Sequence, residues 1–259
     1  MIGETKLGKI ISFSNQKGGV GKTTSAVNIA ASLGILGHKS LLIDLDPQGN
    51  ATSGVGIAKK TLKHSIHDVL IGNIKASQAI IHTEFDNLDI IPTNIALAGA
   101  EYDLYQGNGA ERVMKNALAE IKGEYDYIII DCPPSLSMLT VNAMVASDGV
   151  ISPMQCEFYA LEGLSQLTYT INRIKTNFNP SLNITGILIT MYNSRLLLSL
   201  QVMNEMKKYY SDKLFSTQIS RGVKVSEAPG FGCPVYYHDK RSKGAAEYLA
   251  VAKELATRI

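Results

Sequence analysis

A glycine-rich turn near the start of the chain has the residue types of a phosphate-binding loop. It reads Asn-Gln-Lys-Gly-Gly-Val-Gly-Lys-Thr-Thr over residues 15–24, between a strand-like apolar run over 9–14 and a helix-like run over 25–33. In such a turn the backbone N–H groups point inward, and the N-terminus of the following helix adds partial positive charge. Lys22 is then placed to reach terminal phosphates, and the Thr23 hydroxyl is placed to bind magnesium. The turn therefore predicts a nucleotide-phosphate site.

One position of this turn departs from the common phosphate-loop pattern. That pattern has glycine five residues before Gly21, where this chain has Gln16, and a second lysine, Lys17, precedes the glycine pair. An ordinary glycine-rich turn is the alternative, with Lys17 a solvated loop lysine. The sequence Gly-Lys-Thr-Thr between a strand and a helix favours phosphate binding. The nucleotide contacts predicted in the loop are Lys17, Gly18, Gly19, Val20, Gly21, Lys22, Thr23 and Thr24.

Three aspartates stand at the ends of predicted strands. Asp44 and Asp46 end the second apolar run, and Asp131 ends the longest unbroken one. In an open parallel sheet, ligands bind at the carboxyl ends of the strands. A strand-terminal aspartate opposite a phosphate loop can hold magnesium, which predicts Asp131 together with Thr23 as the metal site. A carboxylate at Asp44 can hold a water in line with a γ-phosphate, although Asp44 and Asp46 could instead cap the turn that follows.

Apolar runs alternate with helical patterns from end to end of the 259-residue chain. Continuous apolar runs suit parallel strands covered on both faces, and strand–helix alternation implies right-handed crossovers. The pattern predicts an α/β fold, a single domain over 1–259 with a doubly wound, mostly parallel sheet and helices on both faces. The predicted strands are 9–14, 40–46, 88–91, 125–131, 149–153, 183–191 and 214–219. The predicted helices are 25–33, one starting at 65, 95–106, 110–122, 138–146, 160–176, 197–210 and 243–258, with a break at 107–109.

Charge is distributed unevenly along the chain. The net charge is +2, but residues 195–259 hold 11 Lys and Arg against 6 Asp and Glu, a net of +5. This basic quarter is compatible with a phosphate-backbone partner and also with a plain solvated surface. The cysteines are sparse and form no C-x-x-C pair, so no zinc site is expected. Residues 1–6 carry no apolar signal-peptide core, and no run is long enough to span a membrane, so we expect a cytoplasmic protein without stable membrane binding.

The loop sequence Lys-Gly-Gly-Val-Gly-Lys-Thr-Thr resembles the deviant Walker A motif of the ParA/MinD ATPase superfamily. Three more segments are similar to chromosomal ParA proteins of the Soj type, with Pro-Thr-Asn at 92–94, Asp-Cys-Pro-Pro-Ser-Leu at 131–136 and Ser-Glu-Ala-Pro-Gly-Phe-Gly at 226–232. The resemblance covers nearly the whole chain and implies a P-loop NTPase fold, ATP and Mg²⁺ as cofactors, and hydrolysis of ATP to ADP and phosphate. Members of this family form ATP-bound homodimers that bind double-stranded DNA without sequence preference. A ParB-like partner stimulates hydrolysis and thereby releases the DNA.

The resemblance also implies roles for particular residues. It makes Lys17 the lysine that reaches the partner's nucleotide, and it makes Asp44 the residue that orients the attacking water. Arg195 and Lys224 match basic positions that contact DNA, which implies association with the nucleoid. Ser220 and Gly222 stand beside the expected adenine site, where relatives commonly have proline and asparagine, so adenine selection is less secure than phosphate binding.

Three alternative functions compete with partitioning. A MinD-like membrane-cycling ATPase would need a strongly basic, bulky amphipathic C-terminal helix, whereas 243–258 carries few basic residues among small apolar ones. An iron–sulfur carrier would need paired cysteine ligands, and Cys132 has no second cysteine beside it. A module that binds ATP without hydrolysing it would not need Asp44, Lys22 and Thr23 together.

Overall fold

The computed structural model describes residues 8–106 and 109–259, in which seven strands form one sheet. The strands are Lys9–Phe13 (β1), Ser40–Asp44 (β2), Ile81–His82 (β3), Leu88–Ile91 (β4), Tyr127–Asp131 (β5), Gly149–Gln155 (β6) and Ile184–Thr190 (β7). They lie in the order β3-β4-β2-β5-β1-β6-β7, and every neighbouring pair is parallel except β3 with β4. The predicted α/β fold with a mostly parallel sheet is therefore confirmed.

Helices cover both faces of this sheet. Within the described residues the α-helices are Lys22–Ile35 (α1), Asn50–Gly54 (α2), Ile66–Leu70 (α3), Leu97–Gln106 (α4), Val113–Leu118 (α5), Met138–Ala146 (α6), Ala160–Asn177 (α7), Leu197–Tyr210 (α8), Val223–Glu227 (α9), Val235–His238 (α10) and Lys243–Arg258 (α11). Side chains of α1 and α11 pack on one face, and those of α3 to α8 pack on the other. In the part of the chain that is described, no helix is both long and apolar enough to cross a bilayer.

Burial on both faces explains the unbroken apolar run of the central strand. All five residues of β5 are buried, and alternate side chains point to opposite faces. Ile128 and Ile130 join the core under α4 to α6, while Ile129 joins the core under α1 and α11. The strand ends at Asp131, so its one charged residue lies at the carboxyl edge of the sheet, where parallel sheets bind ligands.

Two strand predictions differ from the structure. The segment 214–219, predicted as a strand, contains only an isolated bridge from Leu214 to Ile187, and the chain turns away between its contacts with β7. That prediction was wrong because the segment contacts the sheet edge at two separate points rather than along a ladder. The strand β3 was missed because two residues are too few to show a period. Residues 1–6, judged to carry no signal peptide, lie outside the described residues, as do the first two residues of the predicted break at 107–109.

The helix α1 approaches a neighbouring loop so closely that one position has room only for glycine. A Cβ placed on Gly34 would lie 2.0 Å from the backbone carbonyl oxygen of Asp86, and a backbone atom cannot swing aside. The side-chain amide of Asn87 donates to the Gly34 carbonyl oxygen at 3.1 Å, which ties the same loop to the helix. This contact positions α1, and with it the phosphate loop, against β4, the strand that follows Asn87.

We expect Gly34→Ala to destabilise the protein by roughly 1–3 kcal/mol, because the added methyl group must displace backbone. The control is Gly163→Ala in α7, where a Cβ meets no atom of the described chain within 4 Å. That change should stabilise by up to about 1 kcal/mol, since alanine favours the helix. Urea unfolding monitored by circular dichroism measures both changes. Equal stability of the two variants would contradict this account of the contact.

Candidate nucleotide-binding site

The turn between β1 and α1 curls around a lysine ammonium group. Gly19 and Gly21 have positive φ angles of 73° and 82°, a conformation that favours glycine. A Cβ built on Gly18 or Gly19 would meet no described atom within 4 Å, so the space over the turn is open. Lys22 is the first residue of α1, and its Nζ donates to the Lys17 carbonyl oxygen at 3.1 Å. The turn therefore has the shape and the charge of a phosphate cradle.

Two polar side chains from neighbouring strands hold this turn in place. The Thr190 hydroxyl at the end of β7 donates to the Val20 carbonyl oxygen at 2.8 Å, and the Gln155 amide at the end of β6 donates to the Gly19 carbonyl oxygen at 2.8 Å. Carbonyl oxygens of the turn are thus bound from the sheet side. Thr190 and Gln155 were not among the predicted site residues, although both are polar residues at the carboxyl ends of apolar runs, which is a usable signal.

Two aspartates lie side by side where β2 and β5 end. Asp44 and Asp131 occupy opposite positions in the register of these strands, and both are fully buried. Asp44 Oδ2 accepts hydrogen bonds from the backbone N–H and the hydroxyl of Thr52, each at 2.7 Å. Neither carboxylate oxygen of Asp131 has a hydrogen-bond partner among the described residues. A buried charge without partners is unfavourable and indicates that a ligand completes the site.

The electrostatics of this pair follow from burial and proximity. Burial first, and then the adjacent Asp44 carboxylate, raises the pKa of Asp131 well above its usual range, while Thr23 and Lys22 act in the opposite direction. Burial raises the pKa of Asp44 to about 6, against the hydrogen bonds from Thr52. Burial likewise lowers the pKa of Lys22, although the nearby Asp131 opposes this change. The protein alone thus supplies too little positive charge to balance the two carboxylates.

The donors around Asp131 fit a magnesium ion better than a metal held by protein groups alone. The Thr23 hydroxyl lies beside the unpartnered Asp131 carboxylate, and both are hard oxygen donors. No group of three or more His, Cys, Asp or Glu residues in the described chain could hold a metal. Magnesium usually takes only one or two protein oxygens and completes its shell with water and substrate phosphates. Thr23 and Asp131 would hold such an ion at the edge of the phosphate cradle.

A cleft of about 410 Å³ extends from the phosphate turn toward the C-terminal part of the chain. Gly21 and Thr24 line it on one side, and Ser220 and Gly222 line it on the other, so the structure brings the predicted phosphate and base residues together. The Ser220 backbone N–H and hydroxyl both donate to Glu247, at 2.9 and 2.7 Å. A proline at this position could not donate the backbone bond. The Ser220 donors are therefore engaged by Glu247 rather than presented to a base.

The ammonium group of Lys17 does not point into the cradle of its own chain. It forms an ion pair with Glu157, which lies in the loop after β6, and the two side chains are 47% and 46% exposed. Half-exposed ion pairs of this kind contribute little stability. Lys17 can therefore leave Glu157 at small energetic cost when another anion becomes available.

The two residues predicted to contact DNA occupy different surroundings. Arg195 lies in the loop between β7 and α8 and lines a polar cleft of about 510 Å³ together with Arg221 and Lys243. Lys224 lies on α9 and forms an ion pair with Glu227 at 3.0 Å. Arg221 and Lys243 were not among the predicted DNA-binding residues, because only the fold brings them beside Arg195.

A phosphate turn between the first strand and helix, with a buried aspartate ending β5, defines the P-loop class of nucleotide-binding proteins, here with a deviant Walker A loop. A family model described as "AAA domain" matches residues 8–184. The chain is 51% identical over 250 residues to sporulation initiation inhibitor protein Soj of Bacillus subtilis, covering 96% of this chain and 99% of that protein. It is 44% identical over 252 residues to the chromosome-partitioning ATPase Soj of Treponema pallidum, covering 97% and 98%. The chain belongs to the ParA/Soj family of chromosome-partitioning proteins.

Solved structures agree with this assignment of the fold. The chain superposes on a structure called cobyrinic acid a,c-diamide synthase from Mycobacterium smegmatis with bound ATP analog and magnesium, with a TM-score of 0.85 and 37% identity. The match covers 96% of this chain and 95% of that one. The doubly wound P-loop fold predicted for the chain is thus confirmed.

We expect Asp131→Asn to raise the melting temperature of the nucleotide-free protein at pH 7. The folded-state pKa of Asp131 lies above its unfolded value, so its charge opposes folding above that value, and a neutral amide removes the opposition. Each kcal/mol recovered corresponds to roughly 2–4 °C in a chain of this size. Differential scanning calorimetry is the measurement, with the exposed Asp103→Asn as control. A lower melting temperature for Asp131→Asn would refute the unbalanced-charge interpretation.

Proposed function

We propose that this protein hydrolyses ATP as its magnesium complex, that the ATP-bound form is a homodimer that binds double-stranded DNA without sequence preference, and that a ParB-like partner stimulates hydrolysis and release. The observation that carries the proposal is the unpartnered Asp131 carboxylate beside Thr23 at the mouth of the phosphate turn. Relatives at 44–47% identity are named chromosome partitioning protein ParA and chromosome-partitioning ATPase Soj, which supports the same function. DNA binding of this kind would associate the protein with the nucleoid in the cytoplasm.

The chain's own residues divide the chemistry among themselves. Backbone N–H groups of the turn and the Lys22 ammonium bind the phosphates, while Thr23 and Asp131 hold the ion. Magnesium, when bound, neutralises charge on the phosphate oxygens. The Asp44 carboxylate has Oδ2 engaged by Thr52, whereas among the described residues Oδ1 accepts one hydrogen bond, from the Asp46 backbone N–H at 3.2 Å. Oδ1 therefore retains the capacity to orient a water for attack.

Dimerisation supplies the remaining cation. Lys17 exchanges Glu157 of its own chain for the phosphates of the partner's nucleotide, because a polyphosphate offers more negative charge than one carboxylate. The nucleotide then lies between two protomers, each contributing a lysine. Loss of the γ-phosphate by hydrolysis weakens this link and favours separation of the dimer.

The polar cleft that contains Arg195 is the proposed DNA surface. Arg195, Arg221 and Lys243 line it together with Glu247, which pairs with Lys243 at 3.5 Å, and Lys224 follows Arg221 by three residues on α9. Contacts from lysine and arginine to phosphates are strong at low salt and carry no sequence information. One protomer offers few such contacts, but a dimer presents two sets, and the second engages at high effective concentration. Nucleotide state thereby controls DNA affinity.

The membrane-cycling alternative has less support from the last helix. The apolar side of α11 is buried in the core against α1, with Ala245, Tyr248 and Leu255 among its buried residues. A helix that inserts into a lipid surface must expose its apolar face. Using α11 in this way would therefore uncover the hydrophobic core.

We expect Asp44→Ala to bind ATP but to hydrolyse it about 100-fold more slowly, since removing the residue that orients the water affects the transition state most. Isothermal calorimetry measures ATP binding, and phosphate release measures turnover with and without the partner protein. Thr61→Ala, an exposed hydroxyl-bearing residue, is the control. Turnover unchanged by the Asp44 substitution would refute the role assigned to this residue.

We expect Arg195→Glu combined with Lys224→Glu to abolish DNA binding while ATP-dependent dimerisation continues. Interferometry on two unrelated duplexes, with ATP, with ADP and without nucleotide, measures binding at several salt concentrations. The wild type should bind both duplexes equally, only with ATP, and with affinity that falls steeply with salt. Lys60→Glu combined with Lys253→Glu makes the same change in net charge at exposed sites elsewhere and should bind as the wild type does.

Two outcomes would contradict this proposal in different ways. If the Arg195 and Lys224 double variant binds DNA as the wild type does, the DNA surface lies elsewhere on the molecule. If the wild type binds equally without nucleotide, the dimer-gated mechanism is wrong even where the residues are right.

A further inference from the structure

A buried threonine links the Asp44 carboxylate to the end of a neighbouring strand. Thr52 is the third residue of α2, and its backbone N–H and hydroxyl both donate to Asp44 Oδ2 at 2.7 Å. The oxygen of the same hydroxyl accepts the backbone N–H of Thr93, two residues after β4 ends, at 3.0 Å. All three residues are fully buried.

The direction of these hydrogen bonds is set by the groups themselves. A backbone N–H can only donate, so the Thr93 N–H must use a lone pair of the Thr52 hydroxyl oxygen. The single hydroxyl hydrogen is then free to point to Asp44, and an ionised carboxylate can only accept. The result is a directed chain from the Thr93 N–H through the Thr52 hydroxyl to Asp44 Oδ2. Because Oδ2 accepts two hydrogen bonds from Thr52, rotation of the carboxylate is restricted.

We propose that Thr52 is a positioning residue for hydrolysis, holding the Asp44 carboxylate so that Oδ1 faces the attacking water. The inference rests on the role proposed for Asp44. The turn at Pro47–Gly49 separates Asp44 from α2, and Thr52 ties the aspartate to β4 across that turn. The orientation of Asp44 thus depends on the sheet as well as on the turn that follows it.

Removing the hydroxyl has a defined consequence. In Thr52→Val the side chain keeps its shape but loses the bond to Asp44, and the Thr93 N–H is left buried without its acceptor. The carboxylate keeps only the backbone bond on Oδ2 and gains rotational freedom. A small misplacement of a catalytic group lowers the rate steeply, while binding of the substrate phosphates by the turn is unaffected.

The experiment compares Thr52→Val, Thr52→Ser and Thr83→Val in single-turnover hydrolysis and ATP binding. Thr52→Val should lower the single-turnover hydrolysis rate by about tenfold with ATP affinity within about twofold of the wild type, and Thr52→Ser should restore most of the rate. Thr83 is the matched control, because its hydroxyl also accepts a backbone N–H while it donates, but it donates to the Leu88 carbonyl oxygen and lies before β4 begins. Thr83→Val should hydrolyse ATP at the wild-type rate. Thr52→Ala, which also lacks the hydroxyl, replaces the valine variant if that variant does not fold.

Combination with Asp44→Ala separates this inference from the proposed function. Thr52→Val should have no further effect in the Asp44→Ala background, because the residue acts through that carboxylate. Slowing in both backgrounds, wild-type turnover in Thr52→Val, or failure of serine to rescue would each overturn the positioning role. Wild-type turnover in Asp44→Ala alone would instead overturn the role proposed for Asp44.

Discussion

Two carboxylates buried side by side impose the constraint on which the site depends. The register of β2 against β5 pairs Asp44 with Asp131, and both are removed from water. Burying a charge is unfavourable unless the charge is paired, and a second carboxylate beside it increases the cost. Lys22 and the N-terminus of α1 supply part of the balancing charge from one side. The nucleotide-free protein is therefore less stable than it would be with these charges balanced, and binding of a cation together with a phosphate chain would supply the balance.

The surrounding structure holds this unbalanced site in a fixed geometry. Parallel strands end together at one edge, so residues that are 87 positions apart meet there, as Asp44 and Asp131 do. Thr190 and Gln155 bind the phosphate turn from β7 and β6, and Thr52 binds Asp44 from α2. Each of these bonds comes from a different element, so the order of strands in the sheet determines which groups converge. Ser220 and Arg221 line both the cleft that extends from the phosphate turn and the polar cleft that contains Arg195. The proposed nucleotide and DNA sites therefore lie on either side of one short segment.

The sequence-based predictions of the site rest on local signals. The phosphate turn was recognised from the spacing of Gly21 and Lys22 between a strand and a helix, and Asp131 from its place at the end of an apolar run. Thr190, Gln155 and Arg221 were missed because each lies beside a residue that is distant in sequence. Thr52 is only eight residues from Asp44, but its hydrogen bond to that carboxylate depends on the fold of the turn between them. The segment 214–219 was mistaken for a strand because apolar and β-branched residues also occur where a chain contacts a sheet edge only at isolated points. The ion pair of Lys17 with Glu157 joins residues 140 positions apart, and no sequence pattern predicts it.

The most direct test of the proposed magnesium site is thermal unfolding of the wild type. It is measured with ATP and Mg²⁺, with ATP in EDTA, and with Mg²⁺ alone. If Asp131 and Thr23 hold a magnesium ion that completes the phosphate site, ATP with Mg²⁺ at about 100 times its Kd should raise the melting temperature by roughly 5–10 °C. ATP in EDTA and Mg²⁺ alone should each produce a much smaller rise, because neither balances the buried carboxylates and fills the cradle together. An equal rise with ATP in EDTA would contradict the claim that a magnesium ion at these carboxylates completes the site.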